Sequence, residues 1–110
     1  INFDGEHSNM ARAFFVENAL YWLHEFHIDG LRLDATHAII DDSDKHILAE
    51  LSEAVASRGP DRNTLLIAED HRILASMVKP RADGGLGLDA VWADATASFH
   101  PAMTSATTDR

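Results

Sequence analysis

The spacing of apolar positions changes several times along the chain, and each change marks an element. Over residues 8–26, Ala11, Phe14, Phe15, Ala19, Trp22, Leu23 and Phe26 recur at helical intervals. The pattern predicts a helix whose aromatic stripe is core packing rather than a ligand platform. Ser8 is placed to cap its start, and Asp29-Gly30 follows its end. Residues 30–34, Gly-Leu-Arg-Leu-Asp, are short and alternating and predict a strand. Residues 35–44 are polar and loop-like, with Asp41, Asp42, Ser43 and Asp44 offering a solvated helix start. Ile47, Leu48, Leu51, Ala54 and Val55 then predict a helix over 45–57, stopped by Arg58-Gly59-Pro60.

Residues 64–69, Thr-Leu-Leu-Ile-Ala-Glu, form a near-continuous apolar run ending in a carboxylate. Such a run suits a parallel strand covered on both faces. A short helix over 73–78, a glycine-rich loop over 80–87 and a third strand over 88–93 complete the pattern, with Trp92 assignable to core or to a cleft wall. The alternation of strand and helix is that of a parallel α/β fold. Residues 95–110, rich in Ala, Ser and Thr, read as a divergent tail expected to lack order.

Composition narrows the function classes. The chain has 110 residues, 45% hydrophobic and 25% charged, as in one ordinary soluble domain. Eighteen acidic residues against nine Lys plus Arg give a net charge of -9. That balance disfavours nucleic acid and anionic membrane surfaces, because no basic patch exists to neutralise phosphates. A neutral substrate fits better. Cysteine is absent, which removes disulfides, thiolate metal sites and cysteine nucleophiles. No apolar stretch approaches a membrane span. The first residues lack the pattern of a signal peptide, so a cytoplasmic location is expected. Seven histidines and many acids raise the question of a metal, but no HExxH or EF-hand spacing occurs and no metal site is expected.

The chemistry concentrates at two strand ends. Asp34 follows Gly-Leu-Arg-Leu and Glu69 follows Leu-Leu-Ile-Ala, with one helix between. In a βαβ unit the strands run parallel, so both acids lie at the same C-terminal edge, where α/β folds place their sites. Neighbouring strands lie about 4.8 Å apart, which lets the carboxyl groups approach to roughly the 5–5.5 Å used by retaining glycosidases. Alternation puts Arg32 on the face of Asp34, where it would hold a nucleophile ionised and oriented. Glu69 is expected beside a second carboxylate and apolar neighbours, both of which favour the neutral form that a general acid needs. From the pattern alone a plainer alternative stays open: strand-end acids also cap helices and bind loop amides. His24 and His27 need no more than a helix C-terminus to explain them.

Several motifs resemble the α-amylase superfamily (glycoside hydrolase family 13). The run Asp29-Gly30-Leu31-Arg32-Leu33-Asp34-Ala35-Thr36-His37 is similar to its fourth-strand motif, and Leu66-Ile67-Ala68-Glu69-Asp70 to its fifth. The segments Asn2-Phe3-Asp4-Gly5, Glu17-Asn18-Ala19-Leu20-Tyr21-Trp22-Leu23, Ala68-Glu69-Asp70-His71-Arg72 and Leu88-Asp89-Ala90-Val91-Trp92-Ala93-Asp94 extend the likeness over residues 1–94. The resemblance implies a fragment of a (β/α)₈ barrel, about strands four to six, forming a partial catalytic domain over 1–94. It implies Asp34 as nucleophile, Glu69 as acid/base, and Arg32, His37, Asp70 and His71 as substrate-binding residues, with no cofactor. The implied reaction is hydrolysis of the α-1,4 bond next to the terminal trehalose of malto-oligosyltrehalose, by retention. Branching, debranching or non-catalytic glucan binding are the alternatives. The superfamily's third catalytic Asp and its third-strand Asn-His motif have no counterpart in these 110 residues. A whole barrel takes around 250, so the isolated chain is expected to be inactive.

Overall fold

A computed structural model describes residues 2–60 and 63–93; the tail expected over 95–110 lies outside them. The elements run α1 (Asn9–Glu25), β1 (Gly30–Leu33), a 3₁₀ turn (Thr36–Ala38), α2 (Ile47–Arg58), β2 (Leu65–Glu69), 3₁₀ turns at Ala75–Met77 and Arg81–Asp83, and β3 (Ala90–Trp92). The three strands form one parallel sheet in the order β1-β2-β3. The short helix expected over 73–78 is only the first of those later turns. Among the described residues no helix is long and apolar enough to cross a membrane.

Alternation along the strands sorts their side chains onto two faces. On one face Leu66 and Ala68 are buried, with Leu31, Leu33 and Val91 packed around them. Val16, Ala19 and Leu20 of α1 and Ile47, Leu48, Leu51 and Ala54 of α2 complete this core. Side chains such as Leu23, Ile47 and Leu51 are wholly buried, each contributing roughly 1.5–3 kcal/mol relative to exposure. The other sheet face stays open. Arg32, Leu65 and Trp92 are exposed on it, and Ile67 and Glu69 are partly so. Among the described residues, helices cover one side of β2, and the side also expected to be covered is open.

The inward face of α1 also differs from the predicted stripe. Val16, Ala19, Leu20 and Leu23 point inward, whereas Phe14, Trp22 and Phe26 are exposed. Apolar residues surround this helix, so period alone could not choose the face. Tyr21, Trp22 and Phe26 instead cluster outside, with the Trp22 and Phe26 ring centroids 4.7 Å apart. Ser8 occupies the cap position but its side chain makes no capping bond.

Helix α2 begins with a different device from the one expected. His46 is its cap, its Nδ1 accepting from the Leu48 amide at 3.0 Å. The side chain of Asp41 is buried rather than solvated, and accepts from the Ile47 amide and from Arg12. Arg12 in turn pairs with Glu50 and donates to the Phe3 and Lys45 carbonyls. One guanidinium thus ties α1 to the chain entering α2.

Two contacts set the sheet edges. Gly30 lies opposite Leu65, and a Cβ there would stand 2.7 Å from the Leu65 carbonyl oxygen, so no larger residue fits without moving backbone. Asp89 starts β3 against β2 by donating its amide to Leu66 and accepting the Leu66 amide on its side chain.

Candidate functional site

The strand register builds the site. Arg32, Ile67 and Ala90 are level across the sheet, and Glu69 is level with Trp92. Leu33 pairs with Ala68, so Asp34, the next residue, emerges at the C-terminal edge beside Glu69. Arg32 joins the two acids: Nη2 is 2.8 Å from Glu69 Oε2, and Nη1 is 3.5 Å from Asp34 Oδ1. Sequence alternation anticipated the contact with Asp34. The closer one, to Glu69, corrects the expected surroundings of that residue. Its near neighbour is a cation, not only a second carboxylate and apolar groups.

Beyond the strands the chain turns in two short loops. After Asp34, Ala35 takes a left-handed backbone with φ of 48°, and the 3₁₀ turn carries Thr36 and His37. After Glu69 come Asp70, His71 and Arg72, followed by Ile73 with φ of 47°. His37 and His71 lie side by side, ring centroids 4.4 Å apart and planes inclined at 66°, both exposed. They flank the edge from which Asp34 and Glu69 emerge.

Asp70 sits elsewhere. It is fully buried, and its carboxylate accepts four hydrogen bonds. The Arg72 amide and Nε reach Oδ1, while Arg72 Nη2 and Thr36 Oγ1 reach Oδ2, at 2.7–2.9 Å. Asp70, expected among the substrate-binding residues, is thus a buried residue whose carboxylate is engaged by Arg72 and Thr36. Burial would push this carboxyl up, but the bonds from Arg72, then Thr36, outweigh it and lower it to about 2. His37, Asp70 and His71 bring ligand-type atoms within 4.8 Å of one another. Four accepted bonds fill a carboxylate's capacity, so a cation there would find two imidazoles and no free carboxylate oxygen.

Thr36, Arg72 and the exposed position of Trp92 are what sequence reasoning did not single out or settle. A faint signal existed for one of them. An Asp bonding the amide two residues on is a common local turn, and Asp70 and Arg72 have that spacing. Trp92 is 62% exposed and level with Glu69, so it is not part of the core formed by the described residues.

No family model matches the chain. It is 42% identical over 102 residues to the malto-oligosyltrehalose trehalohydrolase of Saccharolobus solfataricus, covering 93% of this chain and 17% of that enzyme. The enzyme of the same name from Deinococcus radiodurans is 43% identical over 81% of the chain and 13% of its own length. A 1,4-α-glucan branching enzyme of Fusobacterium nucleatum is 38% identical over 76% of the chain and 15% of its own length. Among solved structures, one from Salmonella typhimurium, assigned by its description alone as an α-amylase, is similar with a TM-score of 0.67 and 36% identity. The likeness covers 76% of this chain and 15% of that one. The chain thus spans about a sixth of the length of the curated relatives it matches. Motifs, fold and relatives agree: the chain is a relative of malto-oligosyltrehalose trehalohydrolases in the α-amylase superfamily, corresponding to one segment of those longer enzymes.

Proposed function

We propose that residues 1–94 belong to the catalytic barrel of a retaining α-glycosidase, as its fourth to sixth strands, with Asp34 as nucleophile and Glu69 as acid/base. The observation that carries this reading is the Arg32 guanidinium lying against both carboxylates at one edge of adjacent parallel strands. Two acids so placed flank a single glycosidic bond. The open sheet face and the exposed aromatic cluster of α1 support the same reading, since a closed barrel would cover both.

In the reaction, protonated Glu69 gives its proton to the leaving glycosidic oxygen while the Asp34 carboxylate attacks the anomeric carbon. The bond between that carbon and the leaving oxygen breaks as the ester to Asp34 forms. Water then attacks the anomeric carbon, losing its proton to the Glu69 carboxylate and releasing Asp34. His37, His71 and Trp92 line the approach, offering two hydrogen-bonding edges and an aromatic face to a neutral glucan. The substrate proposed is malto-oligosyltrehalose, cleaved to release trehalose. Catalysis belongs to the longer protein that supplies the third acid, and the isolated chain is inactive.

The branching-enzyme likeness favours a second reading, glucan transfer rather than hydrolysis. Assaying the complete enzyme for trehalose release against new α-1,6 branches separates them. The catalytic roles are tested by Asp34→Ala and Glu69→Ala with an activated glycoside and azide. Loss of the acid/base should give a glycosyl azide of retained configuration, and loss of the nucleophile one of inverted configuration. Turnover near that of the unaltered enzyme in either variant removes the assignment.

A further inference from the structure

The two loops that follow the acids are joined by a buried connection. Thr36, two residues after Asp34, is almost wholly buried, as is Asp70, the residue after Glu69. Thr36 Oγ1 donates to Asp70 Oδ2 at 2.8 Å and also lies 3.2 Å from the Glu69 main-chain oxygen. Arg72 holds the other side of the Asp70 carboxylate, and the Asp70 amide donates to the Trp92 carbonyl on β3. Asp70 therefore joins three segments, the loop after β1 through its side chain and the end of β3 through its main-chain amide, to its own loop after β2.

The backbone around this connection is not at rest. Ala35, between Asp34 and Thr36, and Ile73, next to Arg72, both adopt positive φ, and neither is glycine. Non-glycine residues in that region persist when surrounding contacts hold them. Thr36 and Arg72 are the contacts adjoining them. The residues that follow Thr36 and Asp70 directly are His37 and His71, so the same connection sets the spacing of the two imidazoles.

We propose that Thr36, Asp70 and Arg72 form a lock that fixes the nucleophile loop against the acid/base loop, making Thr36 and Asp70 positioning residues for Asp34 and Glu69. Neither touches substrate. They act by holding the separation of the two acids, and a small displacement of a reacting group is costly in rate. The proposal rests on the glycosidase reading only for what the two acids do. The lock itself is a statement about loop geometry.

The test uses the complete enzyme with Thr36→Val, Thr36→Ser and Asp70→Asn. Valine keeps the shape of threonine and removes the hydroxyl, whereas serine keeps the hydroxyl. Thr36→Val and Asp70→Asn should lower kcat by roughly ten- to a hundredfold with a smaller change in KM, and Thr36→Ser should restore most of it. In parallel, a nuclear Overhauser contact between the His37 and His71 ring protons should be present in the unaltered protein and Thr36→Ser and lost in Thr36→Val. If Asp70→Asn does not fold, Thr36→Val and Thr36→Ser decide alone. A folded Thr36→Val that keeps both full kcat and the ring contact overturns the lock. Ring contacts that follow this pattern in an enzyme cleaving no α-glucan would uphold the lock and overturn the glycosidase reading instead.

Discussion

Arg32 Nη2 stands 2.8 Å from Glu69 Oε2, nearer than the same guanidinium stands to Asp34 just beyond its own strand. The reason is the parallel register. Arg32 is level with Ile67, and Glu69 lies two residues further along the same face. A long side chain leaning along the strand direction meets it there. The planar fork of an arginine can address two carboxylates at once, which an ammonium, as a point charge, does less well.

For that reason Arg32→Lys in the complete enzyme should lower kcat by about tenfold or more. Stability should hardly change, because Arg32 is half-exposed and exposed ion pairs contribute about 1 kcal/mol or less. Steady-state kinetics and urea midpoints on the same variant check both halves. Unchanged kcat would remove Arg32 from the site's working parts.

Gly30 is expected to tolerate no side chain. A Cβ would meet the Leu65 carbonyl oxygen, which is main chain in the paired strand and not a side chain that can swing aside. Gly30→Ala should cost roughly 1–3 kcal/mol through this overpacking, read as a lower urea midpoint. A midpoint equal to that of the unaltered protein would show that β1 and β2 can separate without cost.

Asp41 and Asp70 should govern acid stability. Burial by itself pushes both carboxyls up. Bonds from Ser43, Arg12 and the Ile47 amide overcome this at Asp41, and bonds from Arg72 and Thr36 overcome it at Asp70. Both are lowered from 3.8 to about 2. A carboxyl whose folded value lies below its unfolded one stabilises the fold above the unfolded value. That contribution is lost as the pH falls toward 2. Each should contribute roughly 2 kcal/mol at neutral pH. Urea denaturation at pH 5, 3 and 2 should show a steep loss that is shallower in Asp41→Asn. Parallel curves for the two proteins would contradict the assignment.

His46 makes the start of α2 depend on pH in a different range. Burial, aided by Arg12 and opposed by Asp41, holds its imidazole below the ordinary 6.5. The cap needs Nδ1 as an acceptor, and protonation turns it into a donor. With the folded value lowered, the contribution is present above 6.5 and lost as the pH falls through the folded value. His46→Asn should keep a cap at every pH. His46→Ala should cost about 1 kcal/mol at pH 8. Between pH 8 and 5 the unaltered protein should lose stability relative to His46→Asn, and a constant difference would show that His46 does not cap as a neutral base.

The order of elements, the parallel strands and the two acids with Arg32 were legible in the sequence, because each depends on local period and on which residue ends a run. Leu31 and Leu33 alternate with Arg32 and Asp34 whatever surrounds them, and the run before Glu69 is apolar in any context. The inward face of α1 was not legible, since Val16 and Leu20 compete there with Phe14 and Trp22 and only the position of α2 and the sheet selects between them. Nor was the burial of Asp70. Its partner Thr36 is 34 residues away, and at the level of sequence Asp70 is one more acid beside a candidate site. Period and propensity report on neighbours along the chain. The environment of a carboxylate depends on what folding brings to it across the chain, and only the tertiary structure decided that Glu69 meets a guanidinium while Asp70 is enclosed by four donors.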